Sequence, residues 1–76
     1  MKIVLIKWED SNVTHGWILK DTNDNNVAHC QTVGILQAED ENKITIAMGE
    51  SDCGSVLEKI TIPKGCIKSI RQLRVR

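Results

Sequence analysis

The chain has no phenylalanine and no tyrosine, and only two tryptophans among its 76 residues. Aromatic side chains bury the largest apolar area per residue, so Ile, Val and Leu must supply nearly all of the core. A chain of this length buries only about 60–65% of the surface that its unfolded form exposes. We therefore expect a single small domain over residues 1–76 with a thin aliphatic core.

Paired cysteine motifs are absent as well. Cys30, Cys53 and Cys66 are an odd number, and no two of them have the C-x-x-C spacing of a zinc site. The apolar run at residues 3–6 is too short for a secretory signal, so we expect a cytoplasmic protein with three buried free thiols. With disulfides and metals set aside, self-association into a homo-oligomer is the favoured source of additional stability.

Acidic residues are absent from the end of the chain. Residues 59–76 carry six Lys/Arg and no Asp/Glu, a net charge of +6, whereas residues 1–58 carry four Lys/Arg and ten Asp/Glu, a net charge of −6. The zero total charge is therefore the sum of an acidic segment and a basic segment of equal and opposite net charge. An acidic face on one copy can meet a basic edge on the next, which agrees with self-association.

The apolar pattern predicts five strands. Residues 2–8 form a short β-branched run, and residues 32–39 and 43–49 form a hairpin around the turn-forming cluster at residues 40–42. A fourth strand covers residues 56–62. Gly34 lies within the second strand and predicts a bulge or a strong bend, which is how a short sheet curls into a barrel.

The only proline begins a short helical turn over residues 63–66. The segment after it is predicted to be the fifth strand, although the spacing of Ile67, Ile70 and Leu73 leaves a C-terminal helix as the alternative. Five strands and one short helical turn indicate an all-β fold, a small five-stranded barrel of the Sm-like or Src-homology-3-like type. Residues 9–28 are a long polar excursion in which residues 16–19 favour one turn of helix and residues 21–26 an exposed loop.

Several segments together form a recognisable pattern: residues 8–11, Gly16-Trp17, residues 32–36, residues 44–47 and residues 62–70. The pattern resembles short tailed-phage and prophage accessory proteins with a small Sm-like barrel, and it spans almost the whole chain. The resemblance implies a protein that binds and neutralises a host component in the host cytoplasm, such as a nucleotide signal or a protein of host defence. No catalytic or binding residue carries over from that group.

The residues themselves do not form a catalytic motif. A glycine-rich phosphate loop is missing, and no nucleophile and base have a recognised spacing, so we expect a non-enzymatic protein without a cofactor or a metal. The leading hypothesis is a homo-oligomer that sequesters a nucleotide-type immune signal. Such a pocket needs cations, an aromatic ring and polar groups, and the candidates are Asn12, His15, Trp17, Lys68, Arg71 and Arg74.

Two alternatives stay open. An Sm-like ring that binds RNA or DNA would place the tail cations along one edge, but the acidic half repels phosphates and few aromatic side chains are present to stack on bases. A direct protein inhibitor of a host factor would present the same basic edge to an acidic partner surface. No membrane partner is expected.

Overall fold

The computed structural model describes residues 1–11 and 27–74. Its five strands are β1 (Ile3–Asp10), β2 (Ala28–Glu39), β3 (Lys43–Glu50), β4 (Val56–Pro63) and β5 (Ile67–Leu73), with a 3₁₀ turn at Lys64–Cys66. The all-β fold and its short helical turn are confirmed, and the last segment is a strand rather than a helix. The helical turn and the exposed loop predicted for residues 16–19 and 21–26 lie outside the described residues.

All neighbouring strands are antiparallel, and their order in the sheet is β4-β3-β2-β1-β5. The last strand thus pairs with the first, on the side opposite to β2. Because only the three residues of the 3₁₀ turn separate β4 from β5, the two outer strands come together at that end and the sheet curls into a barrel. The turn is held by Lys64, whose backbone N–H donates to the Asn42 carbonyl at 2.8 Å and whose ammonium lies 2.8 Å from Glu39 Oε2.

The curled sheet keeps two free edges. Among the described residues, no backbone ladder joins β4 to β5, and each strand has a single partner, β3 and β1 respectively. Hydrogen bonds between these two strands therefore do not close the barrel in the described part of the chain. The 3₁₀ turn connects them at one end only, which leaves the outward backbone groups of both strands available for further pairing.

The sequence predicts a bulge or a bend at Gly34, and β2 changes its partner strand next to this residue, at a point that we call the bend. Residues 28–34 of β2 pair with β1 alone, whereas the ladder with β3 begins at Ile35, which is opposite Ala47. A register shift between Leu36 and Ala38 adds a bulge directly after the bend. A Cβ atom on residue 34 would lie 2.9 Å from the Ala47 carbonyl oxygen and 2.9 Å from Ile46 Cδ1, so only glycine lets the strands approach this closely.

The core is small and aliphatic, as the composition predicts. Trp8, Leu36, Ile60 and Ile67 pack around five buried side chains, which are Val4, Ile6, Ile44, Ile46 and Ile62. These five residues alternate along β1, β3 and β4 with outward-facing residues, the period of a sheet that buries one face. The Trp8 indole N–H donates to Thr32 Oγ1 at 2.9 Å, so its polar atom is paired where the ring meets the core.

The two hairpin turns differ in character. Between β2 and β3, Asp40 Oδ1 accepts the backbone N–H groups of Asn42 and Lys43 at 2.7 and 2.9 Å, and these bonds, with the Lys43 ammonium, lower the pKa of the Asp40 carboxyl. The β3–β4 hairpin instead extends beyond the core, and residues 50–59 are all exposed. Glu58 has a φ of 49° there, and the regular pairing of β3 with β4 is interrupted at this residue.

Candidate functional site

The six candidate ligand residues divide into two groups. Asn12, His15 and Trp17 lie outside the described residues, whereas the three cations belong to β5 or follow it directly. The Lys68 ammonium lies 3.6 Å from Glu9 Oε1, next to His29, whose Nδ1 is 3.8 Å from the same oxygen. Arg74 is exposed after the end of β5. Within residues 1–11 and 27–74, Arg71 is the cation of these three that lines a described cleft.

That cleft has a volume of about 200 Å³ and lies on the outer face of the β1–β5 pair, and we call it the cationic cleft. It is lined by Leu5, Lys7, Ser69, Ile70 and Arg71. The register places Lys7 opposite Ser69 and Leu5 opposite Arg71. Because directly paired residues of antiparallel strands share a face, the Lys7 and Arg71 side chains are diagonal neighbours with the Ser69 hydroxyl beside them.

The two cations of this cleft have no counter-charge in the described part of the chain. Lys43, Lys64 and Lys68 each lie within 4 Å of a carboxylate oxygen, but no such contact exists for Lys7 or Arg71 among residues 1–11 and 27–74. Two uncompensated positive charges on one face repel each other and attract an anion. Lys7 and Ser69 were not among the predicted site residues, since only the β1–β5 register brings them to Arg71.

A second cavity opens where β2 leaves β3, and we call it the wedge. It has a volume of about 240 Å³ and is lined by Thr32, Val33, Ile46, Ala47, Met48, Glu58, Lys59 and Ile60. Its lining side chains are mostly aliphatic. Since none of them is aromatic, the wedge offers an apolar surface but no ring on which a base could stack.

The free edges carry exposed apolar side chains. Leu57 on β4 is 56% exposed and Ile70 on β5 is 43% exposed, and Met48 and Val56 add to the apolar surface beside β4. Apolar side chains next to unpaired strand edges are typical of surfaces that pair with another chain.

Cys53 lies at the tip of the β3–β4 hairpin and is exposed, so the expectation of three buried thiols is wrong for this residue. Its sulfur is 3.0 Å from Ser51 Oγ and 3.7 Å from Ser55 Oγ. Hydrogen bonds from these hydroxyls stabilise the thiolate and lower the pKa of Cys53 from 9.0 to about 7. Cys30 and Cys66 are half-buried.

Alkylation should therefore select Cys53 at neutral pH. We expect its reaction rate with iodoacetamide to rise with pH and reach half of its maximum near pH 7, because the thiolate is the reactive form. In Ser51→Ala the strongest hydrogen bond is lost, so the midpoint should move to higher pH and the rate at pH 7 should fall several-fold. Peptide mapping by mass spectrometry separates the three cysteines. An unchanged midpoint in Ser51→Ala would contradict the role of that hydroxyl.

The described residues contain no helix long and apolar enough to cross a membrane. Within the same residues, no three His, Cys, Asp or Glu side chains cluster closely enough to hold a metal ion. Comparison of the chain with protein-family models, with curated proteins and with solved structures gave no match in any of the three.

Proposed function

We propose that the protein is a non-enzymatic homo-oligomer that sequesters a nucleotide-type signal in the host cytoplasm, as a phage accessory protein acting against host defence. The observation that carries the proposal is that, in the described residues, the sheet has two free edges. One edge is β4, at one end of the strand order, and the other is β5, at the opposite end. Among the residues that the structure describes, each edge has backbone groups without a partner strand and exposed apolar side chains. One edge of a copy can therefore pair with the other edge of a second copy.

The charges near the two edges favour pairing of β4 of one copy with β5 of the next. Residues 50–59 of the β3–β4 hairpin carry three acids, Glu50, Asp52 and Glu58, and one cation, Lys59, whereas β5 carries Lys68 and Arg71 and no acid. Pairing β5 with a second β5 would bring like charges together, and pairing unlike edges avoids this. Such a head-to-tail contact is heterologous, so repeated copies close into a ring when the rotation between them permits.

The backbone of Glu58 limits how far this pairing extends. Its positive φ is a left-handed conformation that costs a non-glycine residue about 1–2 kcal/mol, and it interrupts the straight course of β4. A neighbouring strand can therefore pair only with a short segment on one side of this kink. Short, interrupted edges favour defined assemblies over unlimited sheet growth.

The proposed ligand class is supported by the surfaces that the barrel presents. A nucleotide has phosphates, which need cations, and a base, which needs apolar surface. The cationic cleft and the apolar wedge provide these two kinds of surface in the described part of the chain. We propose no catalytic step, since the sulfur of Cys53, whose pKa is lowered, is accompanied by the hydroxyls of Ser51 and Ser55 rather than by a base.

Native mass measurement with edge variants tests the assembly. We expect the wild-type protein to form one discrete oligomer and Leu57→Lys to dissociate it, because a lysine on an edge strand opposes pairing. Val33→Lys is the matched control, since Val33 is 57% exposed and Leu57 is 56% exposed, but Val33 lies on β2, outside the two strands proposed to pair between copies. The control should keep the wild-type mass.

A monomeric wild-type protein would contradict the proposal, and so would an oligomer that Leu57→Lys leaves intact. Circular dichroism of both variants shows whether the barrel is folded. Co-purification of a host protein in place of a nucleotide would favour the direct inhibitor, and salt-sensitive retention of RNA or DNA would favour the nucleic-acid-binding ring.

A further inference from the structure

The cationic cleft of Lys7, Ser69 and Arg71 is the feature from which a specific binding site can be argued. Its volume of about 200 Å³ is smaller than the roughly 300–1,000 Å³ of pockets that enclose a whole small molecule. A cleft of this size accepts one group of a ligand and leaves the remainder outside. The chemistry of its lining decides which group that is.

We propose that the cationic cleft is a binding site for a phosphate or pyrophosphate group, with Arg71 and Lys7 as cationic donors and Ser69 as a neutral donor. Arginine presents a planar fork of N–H groups that matches two phosphate oxygens, and lysine adds a point charge from the neighbouring strand. The Ser69 hydroxyl, directly opposite Lys7, can donate to a third oxygen. Leu5 and Ile70 complete the lining of the cleft.

The surroundings of the cleft favour an anion over a cation or a neutral group. No carboxylate lines it, and in the described residues neither Lys7 nor Arg71 has an acidic partner within 4 Å. Lys68 belongs to the same strand, but its ammonium lies beside Glu9, and the register shift between Lys7 and Trp8 removes it from the regular pairing. Of the tail cations that the sequence predicted as ligand residues, the proposed site therefore uses Arg71, and Lys7 of β1 is the second cation.

This inference rests on the proposed function for the choice of a nucleotide as the source of the phosphate. The site is exposed, so its affinity depends on ionic strength and must be measured at low, constant salt. The probe is inorganic pyrophosphate, titrated into ¹⁵N-labelled full-length protein while amide shifts are recorded. We expect saturable shifts centred on Lys7, Ser69, Ile70 and Arg71.

Charge-removing variants separate a defined site from diffuse attraction. Lys7→Ala and Arg71→Ala should each weaken the pyrophosphate affinity by about fivefold, the effect of one exposed ionic contact worth roughly 1 kcal/mol. The matched control is Lys2→Ala, which removes the same charge just before β1, does not line the cleft and should leave the affinity unchanged. Equal weakening by all three variants, or shifts that do not saturate, would overturn the site.

Three further probes identify the source of the phosphate. Adenosine monophosphate should shift the same amides as pyrophosphate, whereas adenosine should not. Binding of a single-stranded oligonucleotide without binding of the mononucleotide would overturn the proposal and favour a nucleic acid.

The cleft and the proposed function can fail separately. If pyrophosphate saturates the cleft but the oligomer retains no nucleotide from a cytosolic extract, the phosphate site is supported and the sequestration proposal is contradicted. If the wild-type protein retains a nucleotide from the extract and Lys7→Ala and Arg71→Ala bind it as well as the wild type, sequestration is supported and the phosphate site in the cleft is overturned.

Discussion

Replacing Ile6 by alanine should destabilise the protein by about 2–5 kcal/mol, the cost of removing a large buried aliphatic side chain. Ile6 is 0% exposed and lies on β1, between Thr32 of β2 and Ile70 of β5. In the described part of the chain the buried core cluster has five side chains, so few of its members can move to fill the cavity. A domain of 76 residues has a total stability of about 4–11 kcal/mol, which makes this loss a large fraction of it.

Urea unfolding followed by tryptophan fluorescence measures the effect. Protomer concentration must be equal for all variants, because association shifts the apparent stability. Ile6→Val removes one methyl group and should cost about 0.5–1.5 kcal/mol, whereas Val33→Ala removes exposed apolar surface and should cost less than about 0.5 kcal/mol. If Ile6→Ala lost no more stability than Val33→Ala, the assignment of the core would be wrong.

Gly34→Ala should cost about 3 kcal/mol, the upper end of the range for overpacking. The added Cβ would lie 2.9 Å from both the Ala47 carbonyl oxygen and Ile46 Cδ1. A side chain can change its rotamer, but the carbonyl belongs to the β2–β3 ladder and cannot move without loosening the pairing that begins at Ile35. The bend of β2 should therefore open, and the wedge beside it should change shape.

Gly65→Ala is the matched control for this substitution. No atom lies within 4 Å of the position that its Cβ would occupy, so the variant should be as stable as the wild type or slightly more stable. Thermal unfolding of the two alanine variants at one protein concentration gives the comparison. Equal melting temperatures for Gly34→Ala and the wild type would show that close packing at the bend does not limit the fold.

The sequence predicted the strands well because each strand buries one face. The apolar run at residues 43–49 matched β3, although its alternation ends at Ile46, since Ala47 is buried and Met48 is exposed. The turn cluster at residues 40–42 matched the hairpin that Asp40 stabilises. β2 begins at Ala28, four residues before the start at Thr32 that the apolar pattern predicts. His29 and Cys30 belong to the ladder with β1 although they lack the apolar pattern of a strand, because pairing with Glu9 and Trp8 decides their conformation.

The candidate site was less predictable, since it depends on which strands become neighbours. Arg71 was recognised from the charge of the tail, but Lys7 lies 64 positions earlier and only the β1–β5 register joins the two. The lowered pKa of Cys53 was likewise hidden, because it depends on the loop geometry that brings Ser51 and Ser55 to the sulfur. Charge composition indicated a basic edge but did not show which cations keep a carboxylate partner.

The central claim is that copies of this chain assemble and hold a nucleotide-type ligand between them. Its most direct test is the native mass of the purified wild-type protein before and after incubation with a cytosolic small-molecule extract. We predict a discrete oligomer that gains mass corresponding to bound nucleotide, which is released on denaturation. A monomer that gains no mass would contradict the account.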